Sequence, residues 1–161
     1  QAVEDVALMR ILPNMVVLAP CDSVETKKAT LAAAKHRGPA YIRFARDKTP
    51  IMTTIETPFE IGKAVVFREG DDATIIGCGP ILYLALEAAE QLAGEDISVR
   101  VIDCPSIKPI DRELVAESAA RTGGAVSAEN ASIIGGFGSA DETPSFFSPP
   151  VNWPATGKPV P

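Results

Sequence analysis

The sequence predicts an α/β fold, and three observations carry that reading. Residues 73–103 run as an apolar strand (ATIIGC), a helix of strong formers closed by Gly94, and a strand rich in β-branched residues (ISVRVIDC). That order is a parallel βαβ unit, whose crossover is right-handed and lays its helix on one sheet face. The first 46 residues alternate in the same way, as helix, strand, helix, strand. Apolar residues make up 46% of the 161, enough for a core and too many for a disordered chain.

The elements follow in order. Gln1–Leu12 reads as an amphipathic helix with Val3, Val6, Ala7 and Ile11 on one side. No cap or turn precedes it, so the sequence opens inside an element. Met15–Ala19 is a short buried strand ended by Pro20. Asp22 stands three residues before Glu25, a capping-box spacing with Asp in the Ser/Thr role. The helix it opens runs to Gly38-Pro39, where the glycine is expected to supply a left-handed cap. Ala40–Ala45 is a strand with Arg46 at its carboxyl end. Asp47–Pro58 is polar, rich in Thr and Pro, and reads as a linker.

Phe59–Arg68 then reads as one strand, and EGDD (69–72) as its turn into the central βαβ. Pro105–Ile110 reads as a loop. Asp111 caps the next helix, and Gly124–Ala128 is a third parallel strand. The glycine-rich turn 133–139 opens no helix, because residues 140–161 carry six prolines. That stretch is expected to be a disordered tail or an extended segment on a surface. The abrupt change of composition also fits a chain cut or shifted in frame.

Charge and cysteine usage narrow the function classes. The net charge is −6 without a long Lys/Arg cluster, which argues against nucleic acid and anionic membranes as partners. No apolar run reaches membrane-spanning length and no signal peptide opens the chain. Three widely separated cysteines fit reduced thiols and a cytoplasmic setting. The single histidine, His36, forbids a multi-histidine metal site.

Several segments, in sequence order, resemble the thiamine-diphosphate-dependent transketolases. In the first part they are Gln1-Ala2-Val3-Glu4-Asp5, Arg10, Pro13-Asn14-Met15, Pro20, Asp22, Glu25, Gly38-Pro39 and Arg46. In the second they are FEIGKA (59–64), DATIIGCG (72–79), RVIDCPSIKPID (100–111), GAVSAEN (124–130) and IIGGFGSA (133–140). The spacing is especially like the C-terminal half of bacterial transketolases split into two subunits. The resemblance implies a truncated pyrimidine-binding α/β unit over residues 1–46, a linker at 47–58 and a C-terminal domain over 59–140. The latter is a small, mostly parallel three-layer α/β/α domain with one antiparallel edge strand. A Pro-rich tail follows at 141–161.

The resemblance also implies a fragment. The family's Gly-Asp-Gly diphosphate motif does not occur here, and its ring-bonding glutamate lies upstream of Gln1. Its substrate-contacting histidine would immediately precede Gln1. Thiamine diphosphate and Mg are therefore implied by family only, and tight binding to this chain alone is not expected. No catalytic residue and no metal ligand is carried over. Arg46 corresponds to the arginine that grips a sugar phosphate, a task that suits a guanidinium fork. Gln1, Glu4 and Asp5 fall beside the active-site cleft or an interface.

Three functions follow as expectations. One is a part of a ketol transferase acting on sugar phosphates with an N-terminal transketolase subunit as partner. The second is a non-catalytic interaction or regulatory remnant. The third is a cofactor-independent activity on α-hydroxyketones or sugar phosphates. A halved domain leaves a sheet edge uncovered, which predicts self-association or loss of order in residues 1–46.

The remaining polar residues have plainer readings beside functional ones. Arg46 also fits a surface ion pair. Gly79-Pro80 fits a plain turn, since GxGxxG is incomplete. Gly135–Gly138 fits close packing, and His36 fits complementing a helix terminus. Cys78 and Cys104 read as buried apolar residues. Cys21 is the best thiolate candidate, although Asp22 beside it disfavours the charge.

Overall fold

The computed structural model describes residues 2–46 and 48–140. Helix α1 spans Asp5–Ile11, strand β1 Val16–Leu18, helix α2 Ser23–Lys35 and strand β2 Ala40–Ile42. Strands β3 (Val65–Arg68) and β4 (Ala73–Gly77), helix α3 (Leu82–Ala93) and strand β5 (Val99–Asp103) follow. Strand β6 (Ser106–Lys108), helix α4 (Arg112–Thr122) and strand β7 (Ala125–Ala128) complete the order. The Pro-rich segment expected at 141–161 lies outside the described residues, as does Gln1.

Two sheets organise the chain. The larger has the order β3-β5-β4-β7. Strand β4 runs parallel to β5 and β7, and β3 is the antiparallel edge strand, as the sequence predicts. The smaller sheet has the order β2-β1-β6, with β1 parallel to β2 and antiparallel to β6. Strand β6 therefore comes from the second half of the sequence and pairs with the first. Residues 2–46, for which the sequence predicts association or loss of order, are folded here against it.

That pairing corrects the loop expected at Pro105–Ile110. Val17 faces Lys108 and Leu18 faces Ser106, and the Ala19 N–H donates to the Pro105 carbonyl at 2.8 Å. Ile107 between them is buried in a cluster with Val6, Val17, Ala19, Ile76, Ile102, Val115 and Phe137. One core is thus built from both halves of the chain. Burying Ile107 alone is worth about 2 kcal/mol, comparable to the gain from the few hydrogen bonds the short strand makes.

Other boundaries move for local reasons. The strand expected over 59–68 is ordered as a ladder only from Val65. Before it the chain turns, with Lys63 N–H donating to the Glu60 carbonyl and Gly62 at φ 88°. The N–H groups of Gly62 and Ala64 are spent on Ser106 Oγ and Asp111 Oδ2, so no ladder can use them. Helix α1 starts at Asp5 rather than at the first residue. Helix α2 ends at His36 in an extended conformation, not at a left-handed Gly38. The left-handed glycine cap occurs instead after α4, at Gly123 with φ 74°.

The expected capping box at α2 is present in a modified form. Asp22 Oδ1 accepts the Glu25 N–H at 2.8 Å, while Glu25 Oε2 reaches back one residue further, to the Cys21 N–H at 2.7 Å. Asp22 also binds the connecting segment. Its carboxylate accepts the N–H groups of Met52 and Thr53, both at 2.6 Å, and the Thr53 hydroxyl at 2.8 Å. Burial opposes its ionisation, but the hydrogen bonds from Glu25, Thr53 and Met52 outweigh burial and hold its carboxyl below the usual range.

Asp22→Ala removes a helix cap and unties residues 52–53 together. We expect a loss of roughly 2–4 kcal/mol in urea unfolding at neutral pH. Because the folded carboxyl titrates lower than the unfolded one, its contribution is present at neutral pH and lost as the pH falls below about 4. The wild type should therefore lose stability on acidification more steeply than Asp22→Ala; parallel acid limbs would contradict this assignment.

Candidate functional site

A cleft of about 730 Å³ opens where the carboxyl ends of β1, β2 and β4 converge. Ligand sites in open parallel sheets gather at the carboxyl ends of strands. Ala19 follows β1, residues 43–46 and 48–50 follow β2, and Cys78, Gly79 and Pro80 follow β4. The wall thus combines both sheets. Gly79 takes φ 70°, and its backbone lies against Ala19, where a Cβ would sit 3.8 Å from the alanine methyl. That turn lets the two halves meet at the cleft floor. The plain-turn reading of Gly79-Pro80 agrees with this, since the chain continues in a single 3-10 turn into α3.

Among the described residues three cations line the cleft, and they differ in freedom. Arg43 is a fixed strut. Its Nε lies 3.2 Å from Asp5 Oδ2, and its Nη2 donates to the carbonyls of Ala2 at 2.7 Å and Asn130 at 2.8 Å. Asp5 also accepts the Tyr41 hydroxyl at 2.7 Å. Burial first, then the Asp5 bond and charge, push the Tyr41 phenol up. Arg46 and Lys48 are exposed at the rim and engage no other described residue. Two uncommitted cations beside Phe44, Ile81, Tyr83 and Leu84 form a surface suited to an anionic group carried on a small apolar or polyol body.

Of the residues singled out from sequence, Arg46 is placed at the cleft. Asp5 stands behind it, holding Arg43. Glu4 precedes α1, is not among the lining residues, and accepts the N–H of the lining residue Val3 at 2.9 Å. Gln1 lies outside the described residues. Lys48, Arg43 and Asn130 were not indicated by spacing. Lys48 sits in a polar stretch with no periodicity, and Arg43 lies within the strand-like run 40–45 without a motif of its own.

Cys21 is buried, and burial first, then Asp103 and Glu25, push its thiol far up, so it stays neutral. That setting disfavours the thiolate expected as a candidate there. Cys78 and Cys104 are likewise buried and raised by burial. Glu129, next to Asn130, accepts the N–H groups of Phe137 at 2.6 Å and Gly138 at 3.0 Å. It is the fixed brace of the glycine-rich turn, which matches the packing reading of that turn.

Comparisons with known proteins agree on one origin. Residues 1–52 match the transketolase pyrimidine binding domain, and residues 62–140 match the transketolase C-terminal domain. The 6-deoxy-6-sulfo-D-fructose transketolase subunit SqwH of Clostridium sp. (strain MSTE9) is 44% identical over 139 residues, 86% of this chain and 43% of that protein. Transketolase-like protein 2 of Homo sapiens is 43% identical over 142 residues, 86% of this chain and 23% of its own length. A solved structure described as split gene transketolase, inactive beta4 tetramer, superposes with a TM-score of 0.85 at 49% identity, over 87% of this chain and 47% of that one. The chain spans less than half the length of each of these relatives.

Arg43→Ala should release the segment before α1 without unfolding the larger sheet. We expect limited proteolysis to cut within residues 2–12 at least several-fold faster, with β4 and β5 still protected. Unchanged cleavage would show that the strut carries no load.

Proposed function

We propose, from the premise that this chain belongs to the transketolase family and corresponds to the C-terminal part of its members, that it supplies the sugar-phosphate-gripping wall of a ketol-transfer site. The observation that carries this reading is the pair Arg46 and Lys48, exposed at the rim of the cleft and committed to no other described residue. A phosphate dianion accepts a guanidinium fork and an ammonium together.

The cofactor of the family does not fit this cleft alone. Magnesium takes oxygen ligands, usually carboxylates, and no Asp or Glu is among the described lining residues. The diphosphate and its metal therefore have no holder here. The reading is that a second polypeptide, of the N-terminal transketolase kind, brings that part. That polypeptide would hold the cofactor, and this chain would position the acceptor sugar through Arg46 and Lys48.

Without that partner, the chain is proposed to associate with itself. Ile11, Ile133 and Ile134 are each at least 75% exposed. Their segments lie side by side, since Ser132 N–H donates to the Val3 carbonyl and Arg10 to the Gly135 carbonyl. Such an apolar surface favours a covering partner. The compartment proposed is the cytoplasm. No helix among the described residues is long and apolar enough to cross a membrane, and the three cysteines are unpaired.

The test is ketol transfer from a ketose phosphate to an aldose phosphate, with thiamine diphosphate and Mg. Activity is expected only when the N-terminal half of a split transketolase is added. Arg46→Ala should raise KM for phosphorylated acceptors by about 10–100-fold and leave unphosphorylated acceptors within a few-fold, as loss of one charged contact dictates. Equal losses on both acceptors would remove Arg46 from the phosphate. Activity of the lone chain without cofactor would favour an independent enzyme.

A further inference from the structure

Behind the cleft floor lies a cluster that the proposed reaction does not use. Asp103, the last residue of β5, is fully buried, and neither carboxylate oxygen has a hydrogen-bond partner among the described residues. Glu25, in the first turn of α2, is 1% exposed. The Cys21 sulfur and one oxygen from each of these carboxyls lie within 4.8 Å of one another. No lysine, arginine or histidine pairs with either acid among the described residues.

An uncompensated pair of carboxylates cannot stay in such a place. Two buried like charges repel and have lost their water, a cost of several kcal/mol or more. One proton removes one charge and gives the other carboxylate a donor. We propose that Glu25 and Asp103 share a single proton, forming a hydrogen-bonded acid pair that fastens the two halves of the chain beneath the cleft and opens at alkaline pH.

The position makes the pair a fastener. Glu25 belongs to the first half and Asp103 to the second. Asp103 stands opposite Gly77 in the β4–β5 register, and Cys104 N–H donates to the Gly77 carbonyl at 2.8 Å. The next residues along, Cys78 and Gly79, form the cleft floor. On the other side Cys21 lies two residues from Ala19, also in the floor. The titratable groups around the pair are Cys21 and Asp22 before α2, and Cys78 and Cys104 at the ends of β4 and β5. None of them is a cation. Burial first, then Glu25, raise the Asp103 carboxyl well above its ordinary range.

The unfolded aspartate loses its proton near pH 4, whereas the folded one keeps it at higher pH. The favourable state is thus complete at low pH and is lost as pH rises toward the folded titration point. Over that interval the pair's contribution to the folding constant falls by about tenfold per pH unit, the effect of one proton.

The experiment is urea unfolding of the full chain and of Asp103→Asn from about pH 6 to about pH 9, with EDTA present or absent. Asparagine carries a permanent donor for Glu25. Asp103→Asn should lack the one-proton slope and exceed the wild type at the alkaline end. Infrared spectra of the wild type near neutral pH should show the carbonyl stretch of a protonated carboxylic acid, absent in Asp103→Asn; this readout stands on the wild type if the variant fails to fold. Parallel pH profiles, or a wild type without the protonated-acid band, would overturn the proposal. So would a stoichiometric metal whose removal by EDTA destabilises the chain, since a cation would then hold the carboxylates.

Discussion

The pairing of β6 with β1 is the contact on which the rest of the structure depends. Three residues from the second half of the chain close one edge of a sheet begun in the first. They bring Ile107 into a core with Val17 and Ile102. A two-stranded β1–β2 sheet with one helix on each flank is marginal by itself. Given β6, it shares a core with a larger sheet and needs no separate one.

The cleft is a consequence of that docking. It forms because the carboxyl ends of β1 and β4 are brought together, with Gly79 against Ala19 at the point of contact. Two side-chain devices hold the same junction from either side. Asp22 ties α2 to residues 52–53, and Arg43 ties the start of α1 to residue 130. Both spend their polar groups on contacts within the fold, to backbone atoms and to the Thr53 and Asp5 side chains. That leaves Arg46 and Lys48 as the uncommitted charges, which is why the anion-binding reading rests on them. Membership of the transketolase family gives the reading its reaction class.

Much of this was legible in the sequence where the signal is local. The βαβ unit at 73–103 was readable because a continuous apolar run, a helix of strong formers and a β-branched run occur in series. The Asp22–Glu25 spacing announced the helix start, though not that Glu25 would bond Cys21 or that Asp22 would clamp residues 52–53. Strand β6 was not legible. Ser106-Ile107-Lys108 is too short for a periodic signal, and its partner is some 90 residues away in the sequence. The strand expected over 59–64 failed because side-chain acceptors, Ser106 and Asp111, take the N–H groups a ladder would use. At the site, Arg46 was found by family likeness rather than chemistry. Asp103 looked like an ordinary strand end, and only the fold shows it buried against an acid from the other half.

The central claim is that the two halves fold as one body through β6. Hydrogen exchange on the full chain, followed by mass spectrometry of peptides covering residues 15–20, 98–104 and 105–110, tests it most directly. If the account holds, all three peptides exchange slowly and lose protection together as denaturant is added. Rapid exchange in 15–20 and 105–110 while 98–104 stays protected would show two independent halves, and the cleft between them would lose its basis.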